Sequence, residues 1–540
     1  MRAHSLATGL LACAVAFAQT PPTKKQQVDA IFSGFTNDTP GCAVGVAKNG
    51  TVVLKAGYGM ADLERNVIIT PSSVFESGSV AKQFTAATLM LLARQGKLSL
   101  DDPMRKYLPE LPDYGAPLTI RHVIHHISGL REWRPIAEFS GFPEGTFVYH
   151  NTHLLEFASK QKGLNFDPGT NYTYSNTGYN MAAILVERVL GGKTFQAYTT
   201  EAIFEPLGMR HTRWRDNFRA VTPHRAVAYG RTGGVWAQHM PIENIIGAGG
   251  LLTTIGDLLL WNENFTHAKV GGPEFVQAQQ TPAMLANGRT IAYAAGLIVS
   301  TVDGLREVAH SGATGGYRTW LGRYPEKGVS VAVLCNFAQA TPAVLGRRTA
   351  RLWTGVEPRE TKPSYSADDA QLRSLTGLYR RVRDNTVVRI EWKDGKLQLV
   401  RGTGNTPLTP TAPREFTIGA TGVNMVCEES KPVRCRTTGD DVQTYESVDA
   451  ITPASAELAA FAGDYHSNET GGTVGVSVLD GVLNFKVGRR PAVRLEPTFR
   501  DAFQTPAGVA IRFWRDTAGR VTGLSAGEDR VWDLRFTRTP

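Results

Sequence analysis

Ser79-Val80-Ala81-Lys82 sets a hydroxyl and an amine three residues apart at the start of a strongly helical segment, so both side chains share one helix face. Serine alone is a weak nucleophile at neutral pH. An adjacent amine in a partly desolvated site can be neutral and take the hydroxyl proton, while the helix N-terminus favours the oxyanion that develops. The same spacing recurs at Ser159-Lys160-Gln161-Lys162, but there it falls at the polar end of a helix before Gly163 and reads as solvated surface. What separates Ser79 from that copy is company: Tyr174-Ser175-Asn176 and His310-Ser311-Gly312 follow it downstream.

Two other patterns mimic reactive sites. Gly523-Leu524-Ser525-Ala526-Gly527 fits the G-x-S-x-G nucleophile elbow, yet that fold needs a histidine after the serine and none follows Ser525, so the stretch reads as a loop with glycine turns. His122 and His126 in RHVIHH stand one helical turn apart but lack the glutamate of H-E-x-x-H, which makes them helix surface or core. No metal and no cofactor is expected.

Elements must bring the three motifs together. Two apolar runs around Asn49-Gly50, between Cys42 and Gly59, are a hairpin signal. Helical periodicity dominates from about Val80 to Leu190, notably in AKQFTAATLMLLARQ and NMAAILVERVL. Strand patterns return at IAYAAGLIVS, YRTWLGRY and GVSVAVLCNF, and a last helix is expected near Ala343 to Thr354. Strands at both ends with helices between them predict an α+β domain over 19–355 whose sheet joins the chain ends. A Pro- and charge-rich linker follows at 356–367. The tail then repeats itself. Gly377-Leu-Tyr379 returns as Gly463-Asp-Tyr465 and Asp394-Gly395 as Asp480-Gly481, both shifted by 86 residues, while Leu408 and Phe416 return as Leu495 and Phe503, shifted by 87. This predicts two small antiparallel β-barrels, over 368–450 and 455–540.

With these motifs the chain resembles the serine β-lactamase and penicillin-binding superfamily, in the branch of class C β-lactamases, D,D-carboxypeptidases, D-aminopeptidases and related esterases. The likeness covers about residues 38 to 345 and includes LTIRHVIHHISGL, FDPGTNYTYSNTGY and GAGGLLTTIGDLLLW. It implies a β-lactamase-like catalytic domain, an antiparallel sheet flanked by helices, with Ser79 acylated and Lys82 and Tyr174 sharing proton transfer. Asn176 resembles the residue that hydrogen-bonds Lys82 and the substrate amide. His310, Ser311 and Gly312 resemble the strand lining the cleft, and the backbone N–H groups of Ser79 and Ala313 resemble the oxyanion hole. Tyr149-His150-Asn151 repeats the Tyr-x-Asn spacing in a segment that matches nothing in the family. One departure stands out. His310 occupies the place where β-lactamases carry a lysine, and histidine is mostly neutral at pH 7, which is closer to the peptidases. The D-aminopeptidases also carry two C-terminal barrels, and the resemblance implies that one of them sends a loop toward the cleft.

Composition and charge narrow the setting. In 540 residues, 42% hydrophobic and 20% charged is ordinary globular usage, and the formal charge of +9 is scattered without a basic run, which argues against nucleic-acid binding. Residues 1–18 read as a secretory signal cleaved before Gln19, so a periplasmic or secreted protein with no integral membrane span is expected; a rival reading makes Cys13 a lipoprotein acylation site. An exported chain can oxidise its cysteines. Cys427 and Cys435 fit a local hairpin disulfide, whereas Cys42 and Cys335 read as two small buried hydrophobes.

The expected protein is an exported serine hydrolase acting on a small peptide, ester or β-lactam, with peptidoglycan a further partner, and D-aminopeptidase or D,D-peptidase-like in type. A β-lactamase, a small-ester esterase and a non-catalytic cell-wall binder are the alternatives. Ser79→Ala is expected to cost on the order of 10⁴ or more in rate on every accepted substrate, whereas Ser159→Ala and Ser525→Ala change little. Mass mapping of the acyl adduct checks this; an adduct on any other serine overturns the assignment.

Overall fold

A computed structural model describes residues 22–143, 145–357, 365–402, 404–419 and 421–540. The expected leader with Cys13, and residues 358–364 of the expected linker, lie outside the described residues. The first domain is built on an antiparallel sheet of β1 (Cys42–Lys48), β2 (Thr51–Tyr58), β3 (Ile298–Val302), β4 (Leu305–Thr314), β5 (Tyr317–Tyr324) and β6 (Val329–Cys335), in spatial order β3-β4-β5-β6-β1-β2. Asn49 and Gly50 both take positive φ, as a tight hairpin turn requires. Because β1 pairs with β6, the early and late parts of the domain close into one sheet, and the α+β class holds.

Five helices matter for the site: α1 (Lys82–Arg94), α2 (Ile120–Ile124), α3 (Asn176–Val189), α4 (Ile255–His267) and α5 (Pro342–Thr354). Alternate residues of β1 face two cores. Ala43 and Ala47 pack with α1, α3 and α4, while Cys42, Val44 and Val46 pack on the side of α5. Helix α1 is buried from Lys82 through Leu92, as its apolar residues on all sides dictate. The IAYAAGLIVS run is strand only from Ile298; before it the chain turns, Ala294 N–H donating to Leu297 O. No helix among the described residues is long and apolar enough to cross a membrane.

The cysteine reading needs one correction. Cys42 and Cys335 are fully buried, but they stand opposite each other on β1 and β6 and form a disulfide, so they are not two separate small hydrophobes. Cys427 and Cys435 are bridged as well, across neighbouring strands.

The tail folds as two barrels. Eight strands between Gly377 and Val448 close completely. A nine-stranded sheet between Gly463 and Arg538 comes round on itself, its edge strands Val493–Arg494 and Glu496–Pro497 separated by Leu495 alone. The repeat has a physical basis: Tyr379 and Tyr465 are both buried and donate to the carbonyl four residues earlier, and Phe416 and Phe503 fill the two interiors. Asp394-Gly395 and Asp480-Gly481 form matching turns, each with φ 52° then 72°. The elbow-like stretch around Ser525 is a strand and not a loop. It belongs to β9 (Val521–Glu528), after β7 (Arg434–Thr437) and β8 (Thr444–Val448) of the first barrel, and pairs with β10 (Val531–Arg538). Gly523 is there because the Trp514 ring lies on it, leaving no room for a Cβ.

Both barrels grip the catalytic domain. Phe139 inserts into the core of the second barrel, and Arg131 donates to Glu469 at 2.7 Å and to the Asp533 carbonyl at 2.8 Å. Both charges are 7% exposed, so each depends on the other. Glu469→Gln leaves a buried guanidinium unneutralised and is expected to cost about 3 kcal/mol or more. Calorimetry checks this as a lowered first unfolding transition.

Candidate functional site

Ser79 lies in the tight turn Gly78–Ala81 that feeds α1, and Lys82 opens that helix. The Lys82 amine is fully buried and has three polar neighbours, all uncharged: Ser79 Oγ at 3.1 Å, Asn176 Oδ1 at 2.7 Å and the Ala248 carbonyl at 2.8 Å. Burial holds its pKa well below that of an ordinary lysine; Arg530 and Arg134 add to the depression and Glu132 opposes it. A neutral amine satisfies this geometry fully. Its two hydrogens go to Asn176 and Ala248, and its lone pair faces Ser79, whose hydroxyl then donates to it.

Each neighbour of Lys82 is itself held. Asn176, first residue of α3, is fixed at both backbone and side chain, because its backbone N–H donates to Glu132 at 2.7 Å and its Nδ2 to the same carboxylate at 3.3 Å. Ala248 belongs to the GAGG loop, which Thr85, Asn151 and Asn180 fix by donating to the carbonyls of Gly247 and Ile246. That contact accounts for Asn151 in the Tyr149-His150-Asn151 copy. The decoy Ser159 donates to the Glu156 carbonyl at a helix end, remote from this network.

Tyr174 lies over Lys82, which sits 4.8 Å from its ring centre. Its hydroxyl is buried with no partner at hydrogen-bonding geometry, and burial pushes its pKa up; Ser79 and Arg530 offset part of that push. The phenol is therefore a protonated donor awaiting an acceptor. His126, two residues past the end of α2 and so not on the helix that carries His122, packs 4.0 Å from the Tyr174 ring, and its Nδ1 accepts from Ser175 N–H at 3.1 Å, so it positions the tyrosine.

The opposite wall is β4. Gly312 admits no side chain, since a Cβ there would stand 1.9 Å from the Ser77 carbonyl and 3.1 Å from the Ser79 nitrogen. On Gly78, at φ 52°, a Cβ would stand 2.5 Å from the Ala313 nitrogen. These two glycines let the backbone amides of Ser79 and Ala313 come together beside the hydroxyl. His310 is buried, and its Nδ1 lies 2.6 Å from the Ser311 carbonyl, so Nδ1 carries the proton and Nε2 accepts from Tyr293 at 3.1 Å. Burial, and then Lys82, lower its pKa to about 4. It is neutral near pH 7 and both its nitrogens are occupied.

Ser79, Tyr174, Asn176, His310, Ser311, Gly312 and Ala313 thus line one cleft of about 760 Å³, with Lys82 beneath it. Three residues escaped the sequence reading. Glu132 carries no motif of its own, Tyr293 sits in a run that reads as strand, and Arg530 comes from the β9–β10 turn far down the chain. Only Tyr293 lay inside a segment the reading singled out. A larger cavity, about 950 Å³, lies where the three domains meet and shares Arg134 and Arg530 with the cleft.

Comparison with known proteins agrees with this geometry. The Beta-lactamase family model matches residues 28–353. A D-aminopeptidase of Gluconobacter oxydans is 31% identical over 64% of this chain and 65% of that relative. A D-aminopeptidase of Brucella melitensis biotype 2 is 27% identical over 94% of this chain and 96% of its own length. Among solved structures, the octameric penicillin-binding protein homologue from Pyrococcus abyssi superposes with a TM-score of 0.56 at 22% identity, over 86% of this chain and 98% of that one.

The buried amine makes a prediction about pH. A base that must be neutral loses activity as pH falls through its pKa, so a depressed Lys82 extends hydrolysis of a nitrophenyl ester to lower pH than an ordinary lysine allows, with a single-proton acid limb below it. An ordinary lysine would confine the activity to above about pH 10. The pH profile of kcat/KM distinguishes the two.

Proposed function

The chain belongs to the Beta-lactamase family, and from that premise we propose that it is a serine hydrolase of the D-aminopeptidase type, releasing an N-terminal D-amino acid through an acyl-enzyme on Ser79. The observation that carries the reading is the Lys82 amine, buried among uncharged partners and 3.1 Å from the Ser79 hydroxyl oxygen. Ser79 gives its proton to Lys82 as Oγ bonds to the substrate carbonyl carbon, and the oxyanion is received by the N–H groups of Ser79 and Ala313. Collapse breaks the C–N bond. The departing amine takes the Tyr174 proton, and the Lys82 ammonium restores it, leaving both residues neutral beside the ester. Water then repeats the sequence in reverse, giving one proton to Lys82 and returning one to Ser79 Oγ.

Two features support an aminopeptidase over a β-lactamase. The strand position that carries a cation in β-lactamases is His310, held neutral here, and the relatives matched over nearly the whole chain, barrels included, are D-aminopeptidases. D-amino-acid peptides released from peptidoglycan fit this chemistry, and an exported enzyme would meet them. A panel of D-Ala and L-Ala p-nitroanilides, a nitrophenyl ester and nitrocefin tests the proposal on the full chain. D-Ala p-nitroanilide is expected to exceed its L isomer in kcat/KM by about 100-fold, the scale on which a shaped pocket discriminates. A ratio near one, or nitrocefin as the preferred substrate, overturns it.

A further inference from the structure

The seam between the catalytic domain and the barrels is rich in guanidinium groups, and most have a carboxylate. Arg131 meets Glu469 and Arg490 meets Glu138, and where the two barrels join beside that seam Arg381 and Arg383 both meet Asp529. Arg530, the next residue along, does not: among the described residues no carboxylate oxygen comes within ion-pair distance of it. Its guanidinium lies instead 4.9 Å over the Tyr174 ring, half-buried in the wall of the cleft that holds Ser79.

The turn that carries it is pinned. The Arg530 carbonyl accepts from Glu132 N–H at 3.3 Å and from Asn165 Nδ2 at 2.9 Å, and Asn165 Oδ1 accepts from Trp532 N–H at 3.0 Å. Arg530 is thus delivered to the cleft on a fixed backbone, which lowers the ordering cost of binding through it. Other charges around the cleft are committed. Arg134 is within 3.8 Å of Glu132 and 3.7 Å of Glu243, Arg318 donates to the carbonyls of Gly315 and Tyr317, and Glu132 is engaged by Asn176. Glu528, on the same turn, lines the neighbouring cavity and not the cleft.

We propose that Arg530 is an anion subsite, and that the preferred substrates are D-aminoacyl peptides whose leaving part carries a free carboxylate bound by its guanidinium fork. This rests on the D-aminopeptidase reading. In such a substrate the acyl part carries an α-ammonium, which a guanidinium repels, so Arg530 faces the leaving side. The larger cavity, opening beyond Arg530, gives that side room.

The test compares D-Ala-Gly with D-Ala-Gly amide, using D-Ala p-nitroanilide as a substrate whose leaving group has no carboxylate. In the wild-type protein the free acid is expected to exceed the amide in kcat/KM by about 10- to 100-fold, the range of a charge-assisted hydrogen-bonded pair, with the preference shrinking as salt is added. Arg530→Gln should bring the acid-to-amide ratio close to one, and Arg530→Lys should keep part of it, as a point charge without the fork. An acid-to-amide ratio near one in the wild type overturns the subsite and needs no variant to fold. A ratio unchanged in Arg530→Gln, or lost in Arg318→Gln instead, overturns it too. If p-nitroanilide and both dipeptides go uncleaved, the D-aminopeptidase reading itself fails and the subsite falls with it; anilide cleavage without acid preference rejects the subsite alone.

Discussion

A lysine amine buried among uncharged acceptors is the constraint on which the rest of this structure depends. Placing an ammonium there without a directly bonded carboxylate is costly, and that cost pushes the pKa of the amine well below the ordinary lysine range, toward the neutral form. Neutral Lys82 is stable only if both its hydrogens find acceptors, because an unmet donor at that depth would cost about 1–3 kcal/mol. Asn176 Oδ1 and the Ala248 carbonyl meet that demand. What remains is one lone pair, and the one group it faces is the hydroxyl of Ser79.

The same demand ties the candidate site to the second barrel. Glu132 holds Asn176 in place, and its own backbone and its neighbour in the chain serve the seam: Arg131 pairs with Glu469, and the Glu132 N–H donates to the Arg530 carbonyl. Further along, Phe139 is part of the barrel core. The segment from Arg131 to Phe139 therefore orients the Asn176 amide on one side and docks a domain on the other. A change in docking at this seam cannot be local to it, since the backbone of Glu132 belongs to both.

How much of this could be read beforehand follows from where each interaction is encoded. Ser79, Lys82, Tyr174 and Asn176 were legible because their spacing is fixed by helix geometry and by family-wide strings, and the barrels were legible because a repeat compares the chain with itself. Glu132 was not, since a lone carboxylate after ISGLR looks like any surface acid until it is seen 3% exposed beneath Asn176. Cys42 and Cys335 looked like small hydrophobes because apolar strands surround both, and only the β1–β6 register sets them face to face. Ser525 read as a loop because paired glycines mark turns in sequence, whereas here one of them makes room for Trp514. Arg530 had no signal of its own: the resemblance implied a barrel loop reaching toward the cleft, but not which residue it would carry, and the Tyr174 ring it covers lies hundreds of residues away.

The two barrels address the two walls of the cleft separately. The second supplies Arg530 to the Tyr174 wall. The first works through the turn between β7 and β8, where Asp440 accepts from Ala292 N–H at 2.6 Å and the Gly439 and Asp440 carbonyls accept from Arg289. Ala292 precedes Tyr293, whose hydroxyl donates to Nε2 of His310 on the β4 wall. The barrels are also fastened to each other at this point, because Arg383 of the first barrel bonds both Asp441 of its own turn and Asp529 of the second, next to Arg530. One arginine thus sets the two turns in a common frame. A tandem repeat suits such an arrangement, since each copy contributes one turn, the second lining the cleft directly through Arg530 and the first bracing the segment that carries Tyr293.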